Sequence, residues 1–245
     1  MIQDSPEIVT REGKMTTFLC HPHRGGPFPT VLLLMDAMGM RDELRDMARR
    51  IATAGYYVLL PNLYYRSNVI ELGPFAEPID EAGRTQVNRL VSSLTIRSVM
   101  DDVEALLRYA RDRPDAQDDR CGCVGYCMSG QYAINAAARF PSRVHAAASI
   151  YGTSLITGEP DSPNVVARAV RGELYFACAE IDGWTSVDTV EALTKDLAEA
   201  GVRADVELYP GTYHGFAFPE RPVYDEAAAE RHWDRLLGLF RRCLG

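Results

Sequence analysis

The sequence predicts an α/β protein whose mainly parallel central sheet is covered by helices on both faces. Short apolar runs of strand length alternate with longer segments in which apolar residues recur at helical spacing, the pattern of strands joined through crossover helices. One apolar run ends in Gly125-Tyr126-Cys127-Met128-Ser129-Gly130 and passes directly into a helical segment. Such a strand-to-helix turn is where a parallel sheet presents functional side chains. With 245 residues the chain can bury one large core. No repeat, low-complexity tract or composition break divides it, so a single domain over 1–245 is expected.

Taken in order, strands are expected at 15–20, 31–36, 56–60, 121–125, 144–151, 173–177 and 205–209, each a short apolar or β-branched run. The first helix, 42–54, sets Leu44, Met47, Ala48 and Ile51 on one face. The second, 96–111, does the same with Val99, Val103, Leu106 and Leu107. Helices at 131–140, 187–200 and 225–242 complete the alternation. The segment 66–94 differs: it carries Pro74, Pro78, several acidic residues and no long apolar period. It reads as an excursion that caps the sheet and roofs a pocket. Pro160 and Pro163 mark a second loop before the strand at 173.

Net charge is −8 and the isoelectric point about 5.2, which gives no electrostatic basis for binding a polyanion, so no nucleic-acid partner is expected. The first ten residues lack the basic start and apolar stretch of a secretory signal, and no apolar run approaches membrane-spanning length. A cytoplasmic protein with no membrane partner is expected. The six cysteines are too sparse for a disulfide framework in a chain of this size and read as reduced thiols. Cys121 and Cys123 share a strand face, but no second Cys/His pair stands near them at zinc-site spacing, so no metal is expected.

A nucleophile on a tight strand-to-helix turn needs small neighbours where strand and helix approach, and Gly125, Ser129 and Gly130 supply them around Cys127. A thiol acting as nucleophile needs a histidine, and the histidine a carboxylate to orient it. His21 and His23 lie in a Pro/Gly-rich turn, His145 on a strand and His232 in the last helix. His214, in a glycine-bearing loop after the last strand, is the best base. Asp182, just past the end of the strand at 173, is the best orienting acid, with Glu180 as runner-up. The chain order nucleophile, acid, histidine is that of α/β-hydrolases.

With these residues in place the chain resembles the dienelactone hydrolase family of α/β-hydrolases. The resemblance runs through Met35-Asp36-Ala37-Met38-Gly39, then Gly55-Tyr56-Tyr57-Val58-Leu59-Leu60-Pro61-Asn62-Leu63-Tyr64, the G-Y-C-M-S-G turn, Asp182 and His214-Gly215-Phe216. It implies an α/β-hydrolase fold, no cofactor, and a Cys127–His214–Asp182 triad acting on a small-molecule lactone or ester through a thioester. By the same resemblance Asp36 stands where the family has a glutamate that contacts the thiol. Ala37 and Met128 would give the two N–H groups of the oxyanion hole.

The family's substrate-carboxylate arginine four residues after the histidine is replaced by Phe218, and Arg84, or else Arg66, is the candidate for the other. Tyr151, Trp184 and Phe218 are expected to line the substrate site, which makes an apolar or aromatic substrate as good a fit as a dienelactone. Two other readings stand beside this one. In a glutamine-amidotransferase-like fold a glutamate would follow the histidine by two, where this chain has Phe216. The other is a noncatalytic binding or redox-sensing protein on a hydrolase scaffold.

Overall fold

In the computed structural model, residues 1–72 and 79–245 are described; Pro74 and Pro78 fall outside them. The strands are β1 (Ile2–Asp4), β2 (Glu7–Val9), β3 (Lys14–His21), β4 (Phe28–Leu34), β5 (Tyr57–Pro61), β6 (Ala116–Tyr126), β7 (Val144–Ile150), β8 (Glu173–Ile181) and β9 (Ala204–Tyr213). They form one sheet in the order β1-β3-β5-β4-β6-β7-β8-β9, with β2 paired to β3. Pairing is antiparallel from β1 through β3 to β5 and parallel from β5 to β9. Helices α1 (Asp42–Thr53) and α7 (Glu226–Leu244) pack together on the sheet. A second group comprises α3 (Ile96–Arg111), α4 (Gly130–Arg139), α5 (Pro163–Val166) and α6 (Val187–Glu199).

β4, β5 and β7 are buried along almost their whole length, which is why they read as unbroken apolar runs. Gly122 of β6 lies against α7, where an added Cβ would come within 2.9 Å of the Phe240 ring. The helix sits this close to the strand only because that position has no side chain.

Four elements differ most from the sequence expectation. β1 and β2 have only three residues each and one buried side chain between them, too little for a period to register. Within 66–94 lies a full helix, α2 (Glu81–Ser92), which buries only Gly83 and Leu90. Asp80 starts it, accepting the Gly83 N–H at 2.8 Å. Finally β9 does not stop at residue 209 but runs to Tyr213. The register shifts between Ala179 and Ile181 opposite it, and Pro210 is tolerated because β9 is an edge strand. His214 therefore leaves directly from a strand end.

Candidate active site

Cys127 follows β6 in a single 3₁₀ turn and takes φ +54°, a left-handed conformation that is uncommon for a residue with a side chain and recurs where function requires it. The packing explains the small neighbours. A Cβ on Gly125 would stand 2.0 Å from the Ser129 carbonyl oxygen, and one on Gly130 would stand 2.3 Å from Ser149 Oγ. Ser129 adds a hydroxyl hydrogen bond to the Met35 carbonyl, which ties the turn to the end of β4.

His214 Nδ1 donates to Asp182 Oδ2 at 2.8 Å, and its backbone N–H donates to the Ile181 carbonyl. The other carboxylate oxygen accepts the backbone N–H groups of Trp184 at 2.8 Å and Thr185 at 3.3 Å, so the acid is fixed from both sides. With Nδ1 committed, Nε2 is the free ring nitrogen; it is buried and has no hydrogen-bond partner among the described residues. Burial disfavours the charged ring, but the hydrogen bond to Asp182 and the neighbouring Cys127 sulfur outweigh it and raise the His214 pKa to about 9. Because no partner meets hydrogen-bond geometry at Nε2, the sulfur's influence is one of proximity.

This shift has a thermodynamic consequence. A histidine with its pKa raised in the folded state adds stability that is fully present below about pH 6.5 and is lost as pH rises through about 9. The melting temperature of the wild type should therefore fall more steeply between pH 6 and pH 10 than that of Asp182→Asn. Parallel thermal profiles of the two would remove this ion pair from the account.

Three of the other four histidines are spoken for, and His23 is exposed in the turn after β3. His232 Nδ1 donates to the Ala229 carbonyl, Nε2 accepts from the Tyr126 hydroxyl at 3.0 Å, and burial drives its pKa down to about 3. His21 stacks on Tyr57, and His145 turns back to the Arg143 carbonyl. Glu180 accepts the Gly211 N–H at 2.7 Å and so braces the end of β9 instead of serving a histidine. Burial pushes the thiols of Cys20, Cys121 and Cys178 up to about 12, whereas Cys127 is half-buried.

Asp36 makes no hydrogen bond to Cys127. Its buried carboxylate is taken up by Arg41, at 2.7 and 3.3 Å, and by Arg221 at 2.7 Å, and it also accepts the Met38 N–H at 3.1 Å. Arg41 continues to Glu43, which in turn accepts the Glu220 N–H. The two guanidinium groups lie 4.8 and 5.1 Å from the centre of the Phe218 ring. Phe218 is thus completely buried within this cluster and offers no surface to a substrate, contrary to the sequence expectation. Neither arginine stands out in the sequence; the Asp36–Arg221 pair spans 185 positions, and no local pattern marks it.

Ala37 and Met128 meet at Tyr64, whose hydroxyl donates to the Ala37 carbonyl at 2.9 Å and lies 3.5 Å from Met128 Sδ. Trp184 is 71% exposed beside the acid, and Ile181 and Tyr213, paired across β8 and β9, are exposed with it. Tyr151 is buried with its ring edge on His214, centroids 5.1 Å apart. Arg84 lies exposed on α2, and no contact among the described residues joins it to the triad residues. Arg66 is consumed by an ion pair with buried Asp102 at 2.7 Å and by Glu12. No cluster of metal-ligating side chains occurs among the described residues, and no helix there is long and apolar enough to cross a membrane.

A parallel sheet with a strained nucleophile turn after one strand, an acid after a later strand and a histidine after the last defines the α/β-hydrolase class. The chain belongs to the dienelactone hydrolase family, whose model matches residues 15–244. Among curated relatives, a "Putative carboxymethylenebutenolidase" of Methylorubrum extorquens is 28% identical over 247 residues, covering 99% of this chain and 81% of the relative. A "Probable 2-oxo-3-(5-oxofuran-2-ylidene)propanoate lactonase" of Bradyrhizobium is 26% identical and covers 97% of this chain and 93% of its own. Among solved structures, a "Putative Dienelactone Hydrolase" from Klebsiella pneumoniae superposes with a TM-score of 0.86 at 25% identity, over 98% of both chains. The reaction class is accordingly that of a hydrolase of lactones or esters.

Proposed function

We propose that the protein hydrolyses lactones or small carboxylic esters without a cofactor, using Cys127 as nucleophile, His214 as general base and acid, and Asp182 to orient the imidazole. The observation that carries this reading is the single free ring nitrogen of His214, buried beside the left-handed Cys127 while Nδ1 is fixed on Asp182 at 2.8 Å. The thiol proton passes to Nε2, and the thiolate attacks the carbonyl carbon. The oxygen that becomes negative is received by the backbone N–H groups of Ala37 and Met128, where one such donor is typically worth about 3 kcal/mol of barrier. Collapse expels the alkoxide, which takes the proton from His214. In a lactone the alkoxide remains tethered to the acyl group. Water activated by His214 then hydrolyses the thioester.

Trp184, two residues beyond Asp182, and the Ile181–Tyr213 pair that flanks Asp182 and His214 in the chain are exposed, and such side chains suit an apolar or aromatic portion of the substrate. Rapid mixing with an activated aryl ester should give a burst of alcohol close to one equivalent. Intact-protein mass spectrometry should show an acyl adduct that peptide mapping locates on Cys127. Linear product formation from the first turnover with no adduct under acid quench, or an adduct on another residue, would dispose of the thioester.

A further inference from the structure

Tyr151 is strained in two independent ways that packing does not require. Its backbone has φ +35° although it carries a large side chain. Its hydroxyl is buried and has no hydrogen-bond partner among the described residues, a condition native proteins rarely tolerate without a functional reason. Both departures fall in a turn that is bonded to β8, to Cys127 and to the loop after Asp182. Its N–H donates to the Ala177 carbonyl of β8 at 2.6 Å. In the same turn the Thr153 N–H donates to the Cys127 carbonyl at 3.1 Å, and the Thr185 hydroxyl donates to the Gly152 carbonyl at 2.8 Å.

The ring cannot swing away to water. It is held edge-on by His214, Phe216 and Phe218 and tilted against Tyr126, with centroids 5.1 to 6.0 Å apart. The hydroxyl therefore keeps its place in the site. Beyond burial and Tyr126, the charges that act on it are those of Arg221, Asp36 and Cys127. Each oxygen of Asp36 already accepts two hydrogen bonds, from Arg41 and Met38 on one side and from Arg41 and Arg221 on the other. The Cys127 sulfur accepts none from the described residues. The turn that carries Tyr151 thus holds a buried donor without an acceptor and, through the Thr153 N–H, grips the residue whose sulfur has no donor.

We propose that Tyr151 is a catalytic residue whose hydroxyl is the hydrogen-bond donor reserved for the Cys127 thiolate. The inference rests on the reading of Cys127 as the nucleophile. When the thiol proton moves from Sγ to His214 Nε2, the new negative charge on sulfur becomes a strong acceptor, and the tyrosine donates to it while keeping its own proton. The hydroxyl stays unsatisfied in the thiol state and is satisfied in the reactive one, so the bond favours the reactive state alone.

The test is the pH dependence of iodoacetamide alkylation at Cys127, followed by peptide mass spectrometry in the wild type and Tyr151→Phe. Removing the donor should displace the alkylation profile by about one unit to higher pH. A more basic thiolate is also the better nucleophile, with a Brønsted coefficient of about 0.4–0.5, so the two effects oppose each other. The variant should be about threefold slower on the acid limb and about threefold faster on the alkaline plateau, so the two profiles cross. Its melting temperature should equal or exceed that of the wild type, because the phenylalanine removes an unsatisfied buried group.

Superimposed profiles, or a variant slower by the same factor at every pH, would overturn the role of Tyr151 while leaving the nucleophile intact. Failure of the underlying reading looks different: Cys127 would label no faster than the other thiols, and Cys127→Ala would hydrolyse esters at the wild-type rate.

Discussion

Replacement of Cys127 by alanine is expected to reduce kcat/KM for an aryl ester or lactone by roughly 10⁴ to 10⁶, the range seen when the nucleophile of a triad is deleted. The loss is this large because the remaining groups act as a unit around the sulfur. Among the described residues His214 Nε2 has no hydrogen-bond partner, and the hydrogen bonds of Asp182 go to that ring and to its own turn. The fold should be almost unaffected, since Cys127 is half-buried and alanine meets the same left-handed backbone. Initial rates and thermal melting measured on one preparation separate the two effects. Activity within tenfold of the wild type, with the fold intact, would show that the thiol is not the attacking group.

The second large effect is on stability. Asp36→Ala should lower it by about 3–5 kcal/mol, the usual consequence of removing one partner from a buried ion pair, and the melting temperature by about 10 °C for a chain of this size. Asp36 is completely buried, and the Arg41 side chain opposite it is only 13% exposed. Arg41 retains Glu43, but Arg221 loses the only ion-pair partner it has among the described residues. The same substitution frees the Met38 N–H that shapes the turn carrying Ala37, so activity should fall with stability. Asp36→Asn keeps an acceptor for that N–H and should retain more activity than alanine at equal loss of charge. A melting temperature within 2 °C of the wild type for Asp36→Ala would show that the arginines are hydrated rather than held by the carboxylate.

How much of this is legible in the sequence follows from what each element buries. β4 to β8 are embedded on both sides, and their apolar runs mark them. The helices α1 and α3 show their buried face as a clean stripe. In contrast, α2 fully buries only Gly83 and Leu90 of its twelve residues, and its apolar face, Val87, Leu90 and Val91, is confined to its last turns, too short a stretch for a period to register. The placement of Cys127, Asp182 and His214 is legible because each stands at the end of a strand, where turn residues punctuate the chain. The two-arginine grip on Asp36 is not legible, because it joins β4, the start of α1 and the loop after His214. A carboxylate and a guanidinium 185 residues apart leave no mark on one another's neighbourhood in the sequence. The burial of Phe218 went unread for the same reason: its surroundings are made by those arginines.

The thinly anchored α2 has an evolutionary consequence. Ahead of it Glu71 bridges Gly39 in the turn after Asp36 and pairs with Arg45, whereas α2 itself fully buries only two residues. Segments of this kind open locally well below the free energy of global unfolding, and substitutions in them change stability little. Mutations can therefore accumulate across 79–93 without threatening the sheet. The strand ends that carry Cys127, Asp182 and His214 tolerate few changes, while this stretch is open to drift. Sequence change can gather there at almost no risk to folding.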